Sequence, residues 1–397
     1  MSETEAIPNM ELRTMRRLVV CCDGTWNRPD QVSGGVASPT NVTKLALGIA
    51  EEDPSGAPQI LFYHRGVGTD PLDRLRGGAF GLGLSRHVRD CYRFLVETYA
   101  PGDELYFFGF SRGAFTARST VGLVRNAGIL RAEHVERIED AYRLYRARGD
   151  LRHPKGIESR IFRRMYSHEN VPVHFVGVWD TVGALGIPGL RGPLANILWG
   201  FHDTTLGKHV RFAYQALAID EQRRLFQPTL WEQQPDAVGQ TLQQVWFAGV
   251  HSDVGGGYGD DPSLAELSLV WMTERARDRG LGFRPEYLQT GAGSADRELR
   301  TVAERIAPNP LGQLHNSRKG FFRLLPGRRR TLEVKKELNA AVGSCAVRRL
   351  REKPGYAASN LEAYLACEGA TVVDAPVPAP DDATESGSGY AAATRVA

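Results

Sequence analysis

The run Leu105-Tyr106-Phe107-Phe108-Gly109-Phe110-Ser111-Arg112-Gly113 puts the tightest limit on how this chain can fold. Its apolar start reads as a buried strand, and Ala114 to Arg125 read as a helix. Between them, G-x-S-x-G matches the sharp strand-to-helix turn that lifts a serine clear at the end of a strand. Both glycines have a steric task, because such a turn leaves little space beside the serine. The N–H of Arg112 opens the helix, where a backbone amide can donate to a developing oxyanion.

Further strands and helices alternate along the chain. Leu18-Val19-Val20-Cys21-Cys22 is apolar throughout and stops at Asp23-Gly24, as a strand buried on both faces does. Thr40 is placed to cap a helix through Val42, Leu45 and Ile49. Ile60 to Tyr63 is a second strand, and Leu84, Val88, Cys91, Leu95 and Tyr99 form one face of a helix. Strands are also expected at Val173 to Trp179 and Val245 to Val250, and a helix from Leu264 to Arg277. This predicts an α/β-hydrolase-like architecture, a mainly parallel central sheet with helices on both faces. Residues 17–285 form its catalytic domain, with a charged helical insertion or cap at 131–168. Residues 1–16 read as an N-terminal extension, 286–375 as a C-terminal accessory segment packed on the hydrolase. The Pro-Ala and Ser-Gly pairs of 376–397 read as a disordered tail.

A net charge of +3 over 397 residues gives no reason to expect a nucleic-acid partner. Cys21, Cys22, Cys91, Cys345 and Cys367 include no C-x-x-C pair, which argues against a zinc ribbon or a disulfide framework and for a reducing compartment. No secretory signal or membrane-spanning run is present, so a cytoplasmic location is expected. Signal-less export and a peripheral membrane contact stay open, and protein partners are unknown.

An attacking serine needs a base, and the base needs an acid to orient it. In this topology they follow in the order Ser, Asp or Glu, His, each after a strand. Asp180 and His251 satisfy that order, and the carboxyl ends of parallel strands share one edge of a sheet. His315 is the alternative base; His64 and His174 fit strand ends less well. Asp253 is a rival acid, but two positions from His251 it is poorly placed to orient that ring. Gly24 or Thr25, after the first strand, is expected to supply a second oxyanion donor beside Arg112. Asp23 has a competing use, holding a divalent cation with Asp253 or Asp260. The glycines of Asp253-Val254-Gly255-Gly256-Gly257 lack a phosphate-loop ending and read as letting backbone pass close to the site. Leu185, Ile187, Leu190, Leu198 and Trp199 lie in a Gly- and Pro-rich loop that would form an apolar substrate pocket or lid.

Five segments in order carry a family resemblance: Cys22-Asp23-Gly24-Thr25-Trp26-Asn27, Gly66-Val67-Gly68-Thr69, Gly109 to Phe115, Val178 to Gly183 and Gly249 to Gly256. Over roughly residues 16–275 the chain resembles the DUF2235 family of α/β hydrolases. That family includes the Tle1-like phospholipase effectors of bacterial type VI secretion. The resemblance implies a Ser-Asp-His triad on Ser111, Asp180 and His251, and hydrolysis of phospholipid acyl esters. The expected function is therefore a serine esterase or lipase acting on lipid or small esters, with no cofactor and no metal. The alternatives are a metal-assisted hydrolase using Asp23, Asp253 and His251, or a non-catalytic module that binds lipid or protein on a hydrolase scaffold. The basic run Arg318-Lys319-Gly320-Phe321-Phe322-Arg323, followed by Arg328-Arg329-Arg330, is placed either to touch anionic headgroups or simply to face water.

Overall fold

The structure is a computed structural model; it describes residues 15–24, 32–33, 36–66, 80–147, 149–182, 204–285, 287, 289–290, 305–324 and 326–375. Eight strands make the central sheet: β1 (Arg17–Cys22), β2 (Gln59–His64), β3 (Glu104–Phe110), β4 (Val173–Trp179), β5 (Val210–Ala218), β6 (Thr241–Phe247), β7 (Ala340–Gly343) and β8 (Val372–Val373). Their order is β8-β7-β6-β5-β4-β3-β1-β2, and each neighbouring pair is parallel. Parallel neighbours force the chain to cross back over a face, and several of the crossings are helical.

The apolar run of β1 shows why two layers of helix are needed. Leu18, Val20 and Cys22 point to one face and Val19 and Cys21 to the other, all buried. On the first face lie α2 (Phe80–Thr98) and α3 (Arg112–Ala127), through Val88, Cys91, Leu95, Ala114 and Leu123. On the second lie α1 (Asn41–Gly48) and α7 (Ser263–Arg277), through Val42, Leu45, Leu264 and Leu267. Thr40 caps α1, its hydroxyl accepting from Thr43 N–H. The charged stretch 131–168 holds α4 (Ile138–Arg146) and α5 (Ile157–Tyr166), both packed on α3. Its neck is closed by Ile129–Leu130 pairing antiparallel with Ser167–His168. That neck follows α3, about 24 Å along the helix from Ser111.

Three features differ from the sequence reading. β5 is a central strand that the hydrophobic pattern does not announce, because Arg211 and the buried Gln215 interrupt it. β6 starts and stops earlier than the apolar run Val245 to Val250. Gly249 turns the chain at φ 125°, and His251 begins the short helix α6 (His251–Gly255) instead of ending a strand. Residues after 285 do more than pack outside: β7 and β8 extend the sheet, covered by α8 (Ser344–Glu352) and α9 (Ser359–Leu365) through Ala346, Leu361 and Tyr364. The 376–397 tail lies outside the described residues.

The order of strands fixes where a site can form. From β1 the chain moves outward to β2, then returns to the other side of β1 for β3. At such a reversal the connections diverge and leave a crevice at the carboxyl ends of the strands. Asp23 follows β1 and Ser111 follows β3, so both stand at that crevice.

Candidate active site

Ser111 sits in the turn between β3 and α3 with φ 58° and ψ −119°, a conformation an L-residue adopts only when its surroundings impose it. The register imposes it here. Ser111 N–H donates to Trp179 O at 3.0 Å, carrying the β3–β4 ladder one residue past the strand. A Cβ on Gly113 would lie 2.1 Å from Cys22 O and 2.4 Å from Asp23 O, so α3 approaches the end of β1 only because that residue is glycine. Gly113→Ala is therefore expected to destabilise the chain by about 3 kcal/mol or more, read by urea unfolding. A variant within about 0.5 kcal/mol of the parent would show that this contact is not fixed.

Asp180 and His251 arrive from the next strand ends. Asp180 follows β4, also at positive φ (41°), and its N–H bonds Ala216 O. His251 opens α6 after β6, where its own N–H donates to Glu221. The two ends converge on Ser111: His251 Nε2 is 2.8 Å from Ser111 Oγ, and His251 Nδ1 is 2.5 Å from Asp180 Oδ2. All three residues are buried. Phe110 lies over the imidazole with ring centroids 4.6 Å apart, and Phe226 meets it edge-on at 5.0 Å. The last residue of α6 makes this packing possible, since a Cβ on Gly255 would overlap the Phe110 ring at 1.9 Å.

Asp180 has a partner that the sequence did not reveal. Arg330 Nη1 bonds Asp180 Oδ1 at 2.5 Å and Nη2 bonds Oδ2 at 2.9 Å, while Nη1 also bonds Ala218 O at 2.8 Å. Ala218 N–H adds a bond to Oδ1 at 3.0 Å. Burial by itself would raise the Asp180 carboxyl, but the Arg330 charge and the His251 bond overcome it and hold the group well below the usual carboxylate range. Asp180 therefore stays ionised and keeps the His251 proton on Nδ1, which leaves Nε2 as an acceptor toward the serine. Burial holds the His251 pKa below 6.5, with Asp180 opposing part of that shift. No local pattern marks Arg330 out, because it is one of three adjacent arginines and lies 150 residues from its partner.

His315, the alternative base, lies elsewhere. Its Nδ1 bonds Asp253, its Nε2 is 3.1 Å from Asp260 Oδ1, and Tyr258 stacks on it at 3.8 Å. Burial lowers its pKa, but the two carboxylates prevail and raise it. Asp253 also accepts from Val250 N–H, so it braces the start of α6 and faces His315 rather than His251. His64 lies beside Asp90, and His174 beside Glu104 and Arg279 O.

Asp23 is buried and accepts from Thr40, Thr43 and Tyr63 hydroxyls and from Gly24 N–H at 2.6 Å. It thereby ties the end of β1 to α1 and β2. Among the described residues no three His, Cys, Asp or Glu side chains gather as a cation site. Thr25 and the pocket residues Leu185, Ile187, Leu190, Leu198 and Trp199 lie outside the described residues.

Residues 16–275 match the family described as type VI secretion (T6SS), phospholipase effector Tle1-like, catalytic domain. An uncharacterized protein of Saccharomyces cerevisiae is 27% identical over 249 residues, which cover 57% of this chain and 34% of the relative. This chain thus spans about a third of that relative's length. An uncharacterized protein from Pseudomonas aeruginosa has a similar solved structure at TM-score 0.38 and 17% identity, covering 68% of this chain and 46% of the other. The Tle1 effector bound to the VgrG spike of the type VI secretion system gives TM-score 0.31 and 18% identity, covering 62% and 51%.

Proposed function

Because the chain belongs to the Tle1-like phospholipase effector family through its catalytic domain, we propose that it is a serine hydrolase of lipid acyl esters with Ser111, His251 and Asp180 as its triad. One observation carries this reading: the hydrogen-bonded line from Ser111 Oγ through His251 to a buried, ionised Asp180 at the sheet's crevice. As Ser111 Oγ attacks the ester carbonyl, its proton passes to His251 Nε2. The carbonyl oxygen takes up the negative charge, opposite the Arg112 N–H at the positive end of α3. A second donor comes from the Gly24–Thr25 turn, where Gly24 N–H would have to exchange its Asp23 bond for the oxyanion. Collapse breaks the ester C–O bond, and His251 returns the proton to the leaving alcohol. Water then attacks the acyl-serine, giving its proton to His251, and the carboxylic acid leaves as Ser111 regains its hydroxyl. Asp180 stabilises the imidazolium in both steps, and an apolar acyl pocket is assigned to Leu185, Ile187, Leu190, Leu198 and Trp199. No step needs a cofactor.

Treatment with a fluorophosphonate probe tests the reading. The parent chain is expected to label stably at Ser111, with the label absent in Ser111→Ala and strongly slowed in His251→Ala. A folded parent that stays unlabelled while Ser111→Ala hydrolyses ester as fast, with loss on chelation, would replace this reading by metal-assisted hydrolysis.

The acidic limb of activity gives a separate check. His251 must be neutral to accept the serine proton, and its pKa is held below 6.5. The acid limb of activity is therefore expected to lie on the acid side of the ordinary histidine value, in kcat/KM on a soluble ester. An acid limb at or above 6.5 would contradict the environment described for this ring.

A further inference from the structure

The basic segment between 315 and 330 lies along the same edge of the sheet as Ser111. It holds Arg318, Lys319, Arg323, Arg328, Arg329 and Arg330, with no Asp or Glu from Ser317 to Leu332, in a chain whose net charge is only +3. Its inner side is fastened to the site. His315 bonds Asp253, Ser317 Oγ bonds Glu221 at 3.0 Å, Gly327 bridges Arg223, and Arg330 holds Asp180. Phe322 meets Phe226 edge-on at 5.9 Å, and Phe226 in turn meets His251. Arg223 lies over the Phe226 ring at 3.5 Å and Phe322 at 5.4 Å.

What remains on the outside is of another kind. Lys319, Arg323, Arg328 and Arg329 are exposed, and none is ion-paired with a described residue. Among them Leu324 is 81% exposed. A lone exposed leucine is ordinary. Here it projects from a carboxylate-free run of cations whose Phe322 reaches His251 through Phe226.

We propose that this segment docks the catalytic edge onto an anionic phospholipid bilayer. Lipid phosphates attract Lys319, Arg323, Arg328 and Arg329, each cation strengthening binding by about fivefold close to the surface. Leu324 enters the boundary between headgroups and acyl chains. The acyl ester lies just below the headgroup, so a surface beside Ser111 brings the bond to be cut to the crevice. The inference rests on the lipid-ester reading above for its purpose, but binding can be measured without turnover.

The experiment uses the full chain carrying Ser111→Ala, floated with phosphatidylcholine vesicles made with or without phosphatidylglycerol. Binding is expected only to the anionic vesicles and to weaken as salt rises. Changing Lys319, Arg323, Arg328 and Arg329 to Gln is expected to weaken it about a hundredfold or more, and Leu324→Asp to weaken it with all cations present. Four exposed cations elsewhere, Lys155, Arg160, Arg164 and Arg351, changed to Gln, should cost less than about threefold. Equal binding to neutral vesicles, equal loss in that control set, or DNA competing fully while Leu324→Asp has no effect would each overturn the docking surface. Thermal melting checks each variant; if the fourfold variant does not fold, Leu324→Asp and the Arg328→Gln, Arg329→Gln pair carry the test. A chain that binds but cleaves no lipid ester defeats the hydrolase reading alone. A chain that cleaves a soluble ester without binding vesicles defeats the docking surface alone.

Discussion

Ser111→Ala is expected to lower kcat on an ester substrate by about 10⁴- to 10⁶-fold, and His251→Ala by a similar factor. The double variant should be no slower than either single one, because nucleophile and base act as one unit: without His251 the hydroxyl stays protonated, and without Ser111 the imidazole has nothing to activate. Asp180→Asn should cost about 10⁴-fold, since an amide can hold the ring in the wrong tautomer. Ser111→Ala removes a single hydroxyl, whereas His251→Ala also leaves a gap between Phe110 and Phe226, so thermal melting accompanies each assay. Any of these variants retaining more than about a tenth of parent activity, with the fold intact, would remove that residue from the mechanism. If Ser111→Ala were fully active, the whole assignment would fail.

The second large effect concerns stability. Arg330→Met is expected to destabilise the chain by about 3–5 kcal/mol at neutral pH, because it leaves the fully buried Asp180 carboxylate without its main counter-charge. The pH dependence separates charge from packing. Asp180 is depressed in the folded chain, so its favourable contribution is present above the unfolded value of about 3.9 and disappears as pH falls through the folded value. Without Arg330, burial dominates and the folded chain takes up a proton on Asp180 more readily than the unfolded one. The difference between variant and parent in urea unfolding should therefore shrink as pH is lowered from 7 toward 4. A deficit that stays constant across that range would assign Arg330 to packing alone. Arg330→Lys is expected to rescue only part of the loss, since one ammonium cannot span both carboxylate oxygens and the Ala218 carbonyl. Activity should fall as well, because a neutral Asp180 no longer fixes the His251 tautomer.

Local chemistry determined much of this protein. The glycines around Ser111, the apolar runs of β1, β3 and β4, and the cap at Thr40 are each readable within a few residues, because strand burial and turn sterics are short-range demands. Even the convergence of Ser111, Asp180 and His251 follows from strand ends sharing one edge, a rule of parallel sheets rather than a contact. Other features depend on distant packing. Gln215 and Arg211 make β5 look polar, and only its neighbours β4 and β6 show that Gln215 is buried against Arg118 and Thr181. His315 carries the same ring as His251, yet two carboxylates hold it apart from the serine. Three consecutive arginines are equivalent in sequence, and the fold turns Arg330 inward to Asp180 while Arg328 and Arg329 remain exposed. The sequence by itself determined which residues the proposed chemistry would use, since each of Ser111, Asp180 and His251 is marked by its own turn and strand. The tertiary structure decided their charge states, because a buried carboxylate or imidazole is set by whichever group the distant chain brings beside it.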